Sequence, residues 1–447
     1  MVGDDPVGVS QPPGAPPSGR RIAALALPAL VVLAAEPLYL LVDTAVVGHL
    51  GSAELAALAI GGGLLALVAW LGNVLAYGTT GSAARLFGAG DRTAAVVDGV
   101  QASWLALAGG VGVALLVQLV AGPLTRTLAG NADPGVAEAA EGWLRIAVLG
   151  APGILLAMAG NGWMRGVQDT ARPMRYVLGA NLISAALCPV LVYPLGLGLN
   201  GSAIANVVAQ TLSGALFVRA LLVAGVPLAP HPGTLRRQLV VGRDLLVRGA
   251  AFQACFLSAA AVGARYGAAT LAAHQIGLQL WSACALALDS IAIAGQALVG
   301  AALGGGDVPG ARRTARRLTV VGGWCGLGFA IVIGAGAFVL PGLFSGDAAV
   351  RERALVAWPW FVAMLPLAGV VFALDGVFIG AGDVRFLRNL TLVAALAFFL
   401  PAIWLGYRLD LGIGGLWAAL SLFVVVRLVG LLARVAGGRW AVAGAPT

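Results

Sequence analysis

Two halves of this chain carry the same punctuation at nearly one offset, and that repetition limits the fold more than any single motif does. Gly51-Ser52-Ala53-Glu54-Leu55-Ala56-Ala57 precedes Gly267-Ala268-Ala269-Thr270-Leu271-Ala272-Ala273 by 216 residues, as Gly88-Ala89-Gly90-Asp91 precedes Gly304-Gly305-Gly306-Asp307. Gly162, Gly166 and Asp169 match Gly376, Gly380 and Asp383 at 214, and Gly198 and Gly201 match Gly412 and Gly415 at the same shift. Each half must therefore build the same bundle. In membrane proteins such a duplication usually places a transport path between the repeats.

The membrane setting follows from composition: 60% of the 447 residues are hydrophobic and only 10% are charged, against roughly a quarter charged in soluble domains. A helix needs ~20 apolar residues to cross the hydrocarbon core. Twelve such stretches fall near 22–47, 56–80, 94–120, 144–165, 175–197, 202–224, 245–265, 271–298, 317–342, 355–380, 387–407 and 413–433. Six spans per half is an even number, so both halves enter the membrane from one side and the repeat is parallel. The expected fold is all-α and integral to the membrane, with twelve transmembrane helices in two parallel six-helix repeats. The segments expected are a disordered tail at 1–19, an N-lobe at 20–225, a basic linker at 226–244, a C-lobe at 245–434 and a second tail at 435–447.

Cytoplasmic loops carry the basic residues of such proteins. Most of the arginines, among them Arg85, Arg92, Arg165, Arg172, Arg312 to Arg317, Arg385, Arg388, Arg434 and Arg439, fall on one side of the proposed spans. Both termini are therefore expected in the cytoplasm. The net charge of +8 reports topology, and nucleic acid is not an expected partner.

Several chemistries are excluded. The chain has no lysine, so it has neither the lysine of a phosphate-binding loop nor one for a Schiff base. The single Gly-x-Gly-x-x-Gly string, Gly196 to Gly201, sits in a short turn between spans and lacks the strand that a dinucleotide site needs. Cys188, Cys255, Cys284 and Cys325 have no metal-ligand spacing and read as buried apolar residues. No enzyme site, metal or organic cofactor is expected, and uphill transport by this chain alone must draw on an ion gradient.

Ionisable groups within spans mark function by default, since each costs roughly 2.5–3.5 kcal/mol at a helix centre. Four carboxylates are read there: Glu36, Asp43, Asp289 and Asp375. Glu36 and Asp43 are two turns apart on one helix face with Tyr39 between them. Pro28 and Pro37 precede the acid in the same helix and invite a bend. A carboxyl group on a bendable helix exchanges its proton as its access to water changes, so Asp43 is the candidate coupling group, with Glu36 beside it. The alternative is a carboxyl that only fastens a neighbouring helix. Asn181, Ser184, Asn206 and Gln210 are candidates for a polar pocket with Asp43, or for interhelical hydrogen bonds of about 0.6 kcal/mol each. Gln253, Gln279 and Asp289 are further cavity candidates from the second half, where Gln275, Gln279, Ser282, Asp289 and Gln296 form a polar stripe that lipid would not tolerate. Asp375, near a span end, is read as a structural or snorkelling acid.

Val42-Asp43-Thr44-Ala45-Val46-Val47-Gly48-His49-Leu50-Gly51, Asn161-Gly162-Trp163-Met164-Arg165-Gly166-Val167-Gln168-Asp169-Thr170 and His274-Gln275-Ile276 resemble the multidrug and toxic compound extrusion (MATE) family, in its DinF-like branch. The resemblance runs from Arg20 to Arg434. It implies two six-helix lobes around a central cleft, alternating access, and export of amphipathic, cationic small molecules in exchange for H⁺ or Na⁺, with Asp43 matching the family's first-helix aspartate. Many relatives carry Asn and Asp where this chain has Ser184 and Cys188, and the lost carboxylate favours H⁺ over Na⁺. The expected protein is a monomeric antiporter of the bacterial inner membrane. A flippase for lipid-linked sugars is the alternative, and its pyrophosphate-bearing substrate would call for arginines deep in the cavity, whereas every arginine here is read near a helix end.

Overall fold

The computed structural model describes residues 17–130 and 134–444. Most of the expected tail at 1–19, and positions 445–447 of the second tail, lie outside the described residues. Among the described residues twelve helices are long and apolar enough to cross a membrane: α1 (Gly19–Gly48), α2 (Ser52–Gly88), α3 (Arg92–Ala129), α4 (Gly135–Gly166), α5 (Ala171–Val192), α6 (Gly198–Val223), α7 (Pro232–Arg265), α8 (Ala268–Gly304), α9 (Val308–Ala335), α10 (Ala348–Gly380), α11 (Val384–Arg408) and α12 (Gly412–Ala436). No strand occurs among the described residues. A short helix, Leu340–Phe344, precedes α10.

The chain divides into two compact units. The N-half is Leu27–Gly242, and the C-half combines the residues up to Ala26 with Arg243–Thr447. Both divisions fall inside helices, α1 and α7. The stretch 226–244, expected to be a linker, is helical from Pro232 onward, because proline tolerates a first helical position, where its missing donor is not needed.

The repeated punctuation has physical causes. Gly90 and Gly306 have φ values of 85° and 80°, a left-handed conformation that glycine adopts without a Cβ penalty. Each turn delivers an aspartate to the next helix start. Asp91 Oδ1 accepts from Ala94 N at 2.7 Å and Asp307 Oδ1 from Gly310 N at 2.8 Å, capping α3 and α9. Gly162 and Gly376 serve packing instead: a Cβ on Gly162 would lie 2.7 Å from Ala76 O, and one on Gly376 would collide with Ala292 O. The centre of each bundle is therefore set by glycine. Helix α4 packs on α2, α3 and α6, and its counterpart α10 packs on α8, α9 and α12.

In the N-half the inter-repeat segment is fastened to α3. Gln101 Nε2 donates to Ala229 O at 2.9 Å and its Oε1 accepts from His231 N at 2.7 Å, while Trp104 Nε1 donates to Leu228 O at 2.8 Å. One turn away, buried Asp98 accepts from Ser82 and pairs with Arg237 at 3.0 Å. In the C-half, Asp244 pairs with Arg388 at 2.7 Å and Asp383 with Arg434 at 2.8 Å. Asp98 and Asp244 are thus two further buried carboxylates within long helices, and both pair with arginine.

One of the two readings of Asp375 falls away here, and one expectation about the arginines needs correction. Asp375 does not snorkel: its Oδ2 lies 2.6 Å from both Arg248 Nη2 and Arg427 Nη2, and its Oδ1 lies 2.7 Å from Arg427 Nη2. Arg427 is not at a helix end either. It is buried within α12, where Asp375 and the faces of Phe252 and Phe423 hold its charge, a combination that offsets part of the desolvation cost.

Candidate functional site

A cavity of about 570 Å³ opens within the N-half, a volume suited to a small molecule. Helix α1 supplies Glu36, Tyr39 and Asp43, α4 supplies Asn161, α5 Asn181, and α6 Asn206, Gln210 and Ser213. Ala59, Gly62, Gly63 and Ala66 of α2 give the space, because small side chains leave room in front of them. No arginine or histidine is among the lining residues.

Asp43 is 1% exposed, and the Cys188 thiol of α5 donates to its Oδ1 at 3.3 Å. Next to this contact, Tyr193 donates from its hydroxyl to Val46 O at 2.6 Å and ties the end of α5 to α1. Glu36 is exposed toward the cavity, and no ion pair reaches Glu36 or Asp43 among the described residues. Burying a carboxylate without a paired charge is costly. Around it, Tyr39 Oη, Asn161 Oδ1, Ser184 Oγ and Asn206 Oδ1 are buried and make no hydrogen bond. Leaving such groups unsatisfied costs about 1–3 kcal/mol each. Those of Tyr39, Asn161 and Asn206 belong to residues that line the cavity, where water, a cation or a donor-bearing molecule can satisfy them.

Of the residues expected at the site, the structure brings Glu36, Tyr39, Asp43, Asn181, Asn206 and Gln210 to one cavity. Ser184 is buried on α5 and does not line it. Gln253 and Gln279 are exposed on the C-half, and Asp289 is half-buried there with an electrostatic or hydrogen-bond partner of its own. Sequence reasoning missed Asn161 and Ser213 as lining residues. Asn161 had a signal, since it occupies the repeat position of Asp375 next to a packing glycine.

A family model described as MatE matches residues 28–190 and 246–404, once in each half. Protein DETOXIFICATION 44, chloroplastic, of Arabidopsis thaliana is 33% identical over 429 residues, covering 93% of this chain and 82% of the relative. DNA damage-inducible protein F of Escherichia coli (strain K12) is 33% identical over 427 residues, covering 93% and 92%. Among solved structures, a crystal structure of a MATE protein in the bent conformation superposes with a TM-score of 0.86 at 22% identity, covering 94% of each chain. That likeness shows the shared fold. Matched by the family model along most of both halves and one-third identical to a relative over nearly its whole length, the chain belongs to the MatE family, whose members are multidrug and toxic compound efflux transporters and not enzymes.

Proposed function

We propose that the protein is an antiporter that exports amphipathic, cationic compounds in exchange for H⁺, with Asp43 as the coupling carboxylate. The observation that carries this reading is the isolation of Asp43 from fixed positive charge: it sits at a cavity wall with the Cys188 thiol and the Ser202 hydroxyl as hydrogen-bonding neighbours and no ion pair among the described residues, whereas Asp98, Asp244, Asp375 and Asp383 are each held by arginine. A carboxylate with a permanent countercharge has no reason to bind and release a proton. Asp43 does, because a proton and a cationic substrate offer alternative ways to neutralise it. Glu36, one side chain nearer to the cavity space, attracts the cation before it reaches Asp43.

The alternation of these two occupants, coupled to alternating access, gives exchange. Cys188 favours H⁺ over Na⁺, since a hard cation is best held by oxygen ligands and the thiol takes one place in the shell of Asp43. The cytoplasmic placement of both termini rests on the arginine distribution. The inner membrane of a bacterium fits the Escherichia coli relative, although the Arabidopsis relative is named as chloroplastic. A flippase for lipid-linked sugars is disfavoured by the lack of any arginine on the cavity wall.

Proteoliposomes loaded with a fluorescent cationic dye, and given a pH gradient or a Na⁺ gradient separately, test the proposal. Efflux in the wild type should follow the pH gradient and vanish in Asp43→Asn. Undiminished proton-driven efflux in that variant would move the coupling group elsewhere, and Na⁺-driven efflux at constant pH would reassign the ion.

A further inference from the structure

The two halves differ at one face where the repeat says they should agree. On α3 of the N-half, Val96 and Val100 are buried in a cluster against which Val226 packs, and Gln101 and Trp104 hold segment 228–231. Shifting by 216, the counterparts of Val96, Val97, Val100 and Gln101 on α9 are Arg312, Arg313, Arg316 and Arg317. All four arginines are exposed. A covered apolar face in one half is an open basic face in the other.

This basic face is costly on its own terms. Arg312 and Arg316, and likewise Arg313 and Arg317, are i, i+4 pairs of like charge, which destabilise a helix. Helix α9 contains no acidic residue, and Asp307, just before it, caps Gly310. The fold adds further positive charge from distant parts of the chain. Arg317 comes within 3.8 Å of where a Cβ on Gly19 would sit, next to exposed Arg20, and Arg312 comes within 3.0 Å of the same point on Gly438, next to exposed Arg439. Gly444 N bonds Leu303 O at 3.0 Å and keeps the C-terminal segment there.

The stripe that begins with these arginines continues along α9 as apolar surface. At four-residue steps from Arg312 and Arg316 come Val320, Trp324 and, after Leu327, Ile331, which are 51%, 68%, 37% and 63% exposed in the order Val320, Trp324, Leu327, Ile331. Guanidinium groups at the end of a span, followed on the same face by exposed aliphatic and indole side chains, match the order of parts in one phospholipid: anionic phosphate first, acyl chain after it.

We infer that this stripe of α9 is a docking site for an anionic phospholipid, its phosphate held by Arg312 and Arg316 and an acyl chain lying over Val320 and Trp324. The site is independent of the transport reading, because no residue of it lines the N-half cavity. Free phosphate shares the headgroup chemistry but has nothing to place on the apolar stretch.

Native mass spectrometry of the purified full chain in neutral detergent, titrated with phosphatidylglycerol or phosphatidylcholine, reads the site directly. Phosphatidylglycerol should be retained in preference, and Arg312→Gln with Arg316→Gln should weaken it by about 25-fold, roughly fivefold per arginine near a charged headgroup. The double lysine variant should keep most of the binding, and Arg92→Gln on the N-half should change nothing. Trp324→Ala should weaken lipid retention while leaving the weak effect of inorganic phosphate as it was. Equal retention of both lipids, an unaffected double glutamine variant, or complete displacement by millimolar inorganic phosphate would each overturn the inference.

Discussion

Positions that line a cavity in the N-half hold an ion cluster in the C-half. By the repeat offsets, Val32 corresponds to Arg248, Glu36 to Phe252, Asn161 to Asp375 and Ser213 to Arg427. The first member of each pair borders the N-half cavity. The second members meet in the C-half: Asp375 bridges both arginines, and Phe252 lies under their guanidinium groups at 5.3 and 4.8 Å. Further along, Gly62 and Gly63 become Leu278 and Gln279. One scaffold thus borders a cavity with two acids that have no ion pair among the described residues, and its copy holds two arginines against one acid. Duplication supplies the frame, and the side chains at four equivalent places decide whether the frame encloses a site or a fastening.

The sharpest way to break this comparison is to remove one partner of the C-half cluster. Asp375→Asn leaves the buried guanidinium of Arg427 and the half-buried one of Arg248 without their carboxylate and should cost about 3–5 kcal/mol, read as loss of monodisperse protein or a large fall in Tm. The same change combined with Arg248→Val and Arg427→Ser, which copies the N-half residues, should restore most of that loss. If the triple variant is as unstable as the single one, the cluster is not an interchangeable counterpart of the cavity wall. Next in size is Gly376→Ala: its methyl group would meet Ala292 O, and overpacking of this kind costs about 1–3 kcal/mol, with Gly162→Ala behaving alike in the N-half. Cys188→Val removes the thiol donor of Asp43 and should lower stability or shift the pH profile of transport modestly, by about 1 kcal/mol, whereas Cys188→Ser should keep both. The smallest expected difference is between the two helix caps, where Asp91→Ala and Asp307→Ala should each cost ~1 kcal/mol and match within error. A gap between them would show that α3 and α9 carry different loads.

Much of the fold could be read from the chain because its causes are local. Twelve apolar runs, glycines with left-handed φ and aspartates that cap the next helix all act within a few residues. The matched offsets then made the second half a test of the first. The ion clusters were less legible. Asp375 meets Arg248 across 127 positions and Arg427 across 52, and nothing in a hydropathy pattern tells a carboxyl that snorkels from one that is gripped on both sides. At the site, the acidic and amide residues on α1, α5 and α6 were found by spacing on a helix face. The room in front of them was not, since glycine serves close packing at Gly162 and open space at Gly62 and Gly63. Ser184, one turn from Cys188, shows the limit of spacing: it shares the helix face and still falls behind the wall.

The unit boundaries inside α1 and α7 have a consequence for how such a chain can be assembled. Ala26 and Gly242, the last residues before each boundary, are themselves one repeat apart. The opening turns of α1 therefore belong to the C-half and those of α7 to the N-half, so the first helix of each repeat is shared between two units. A cut at the chain midpoint, between α6 and α7, would leave both of these helices whole and yet take from each unit a stretch it contains, 19–26 from the C-half and 232–242 from the N-half, so neither product would equal one compact unit.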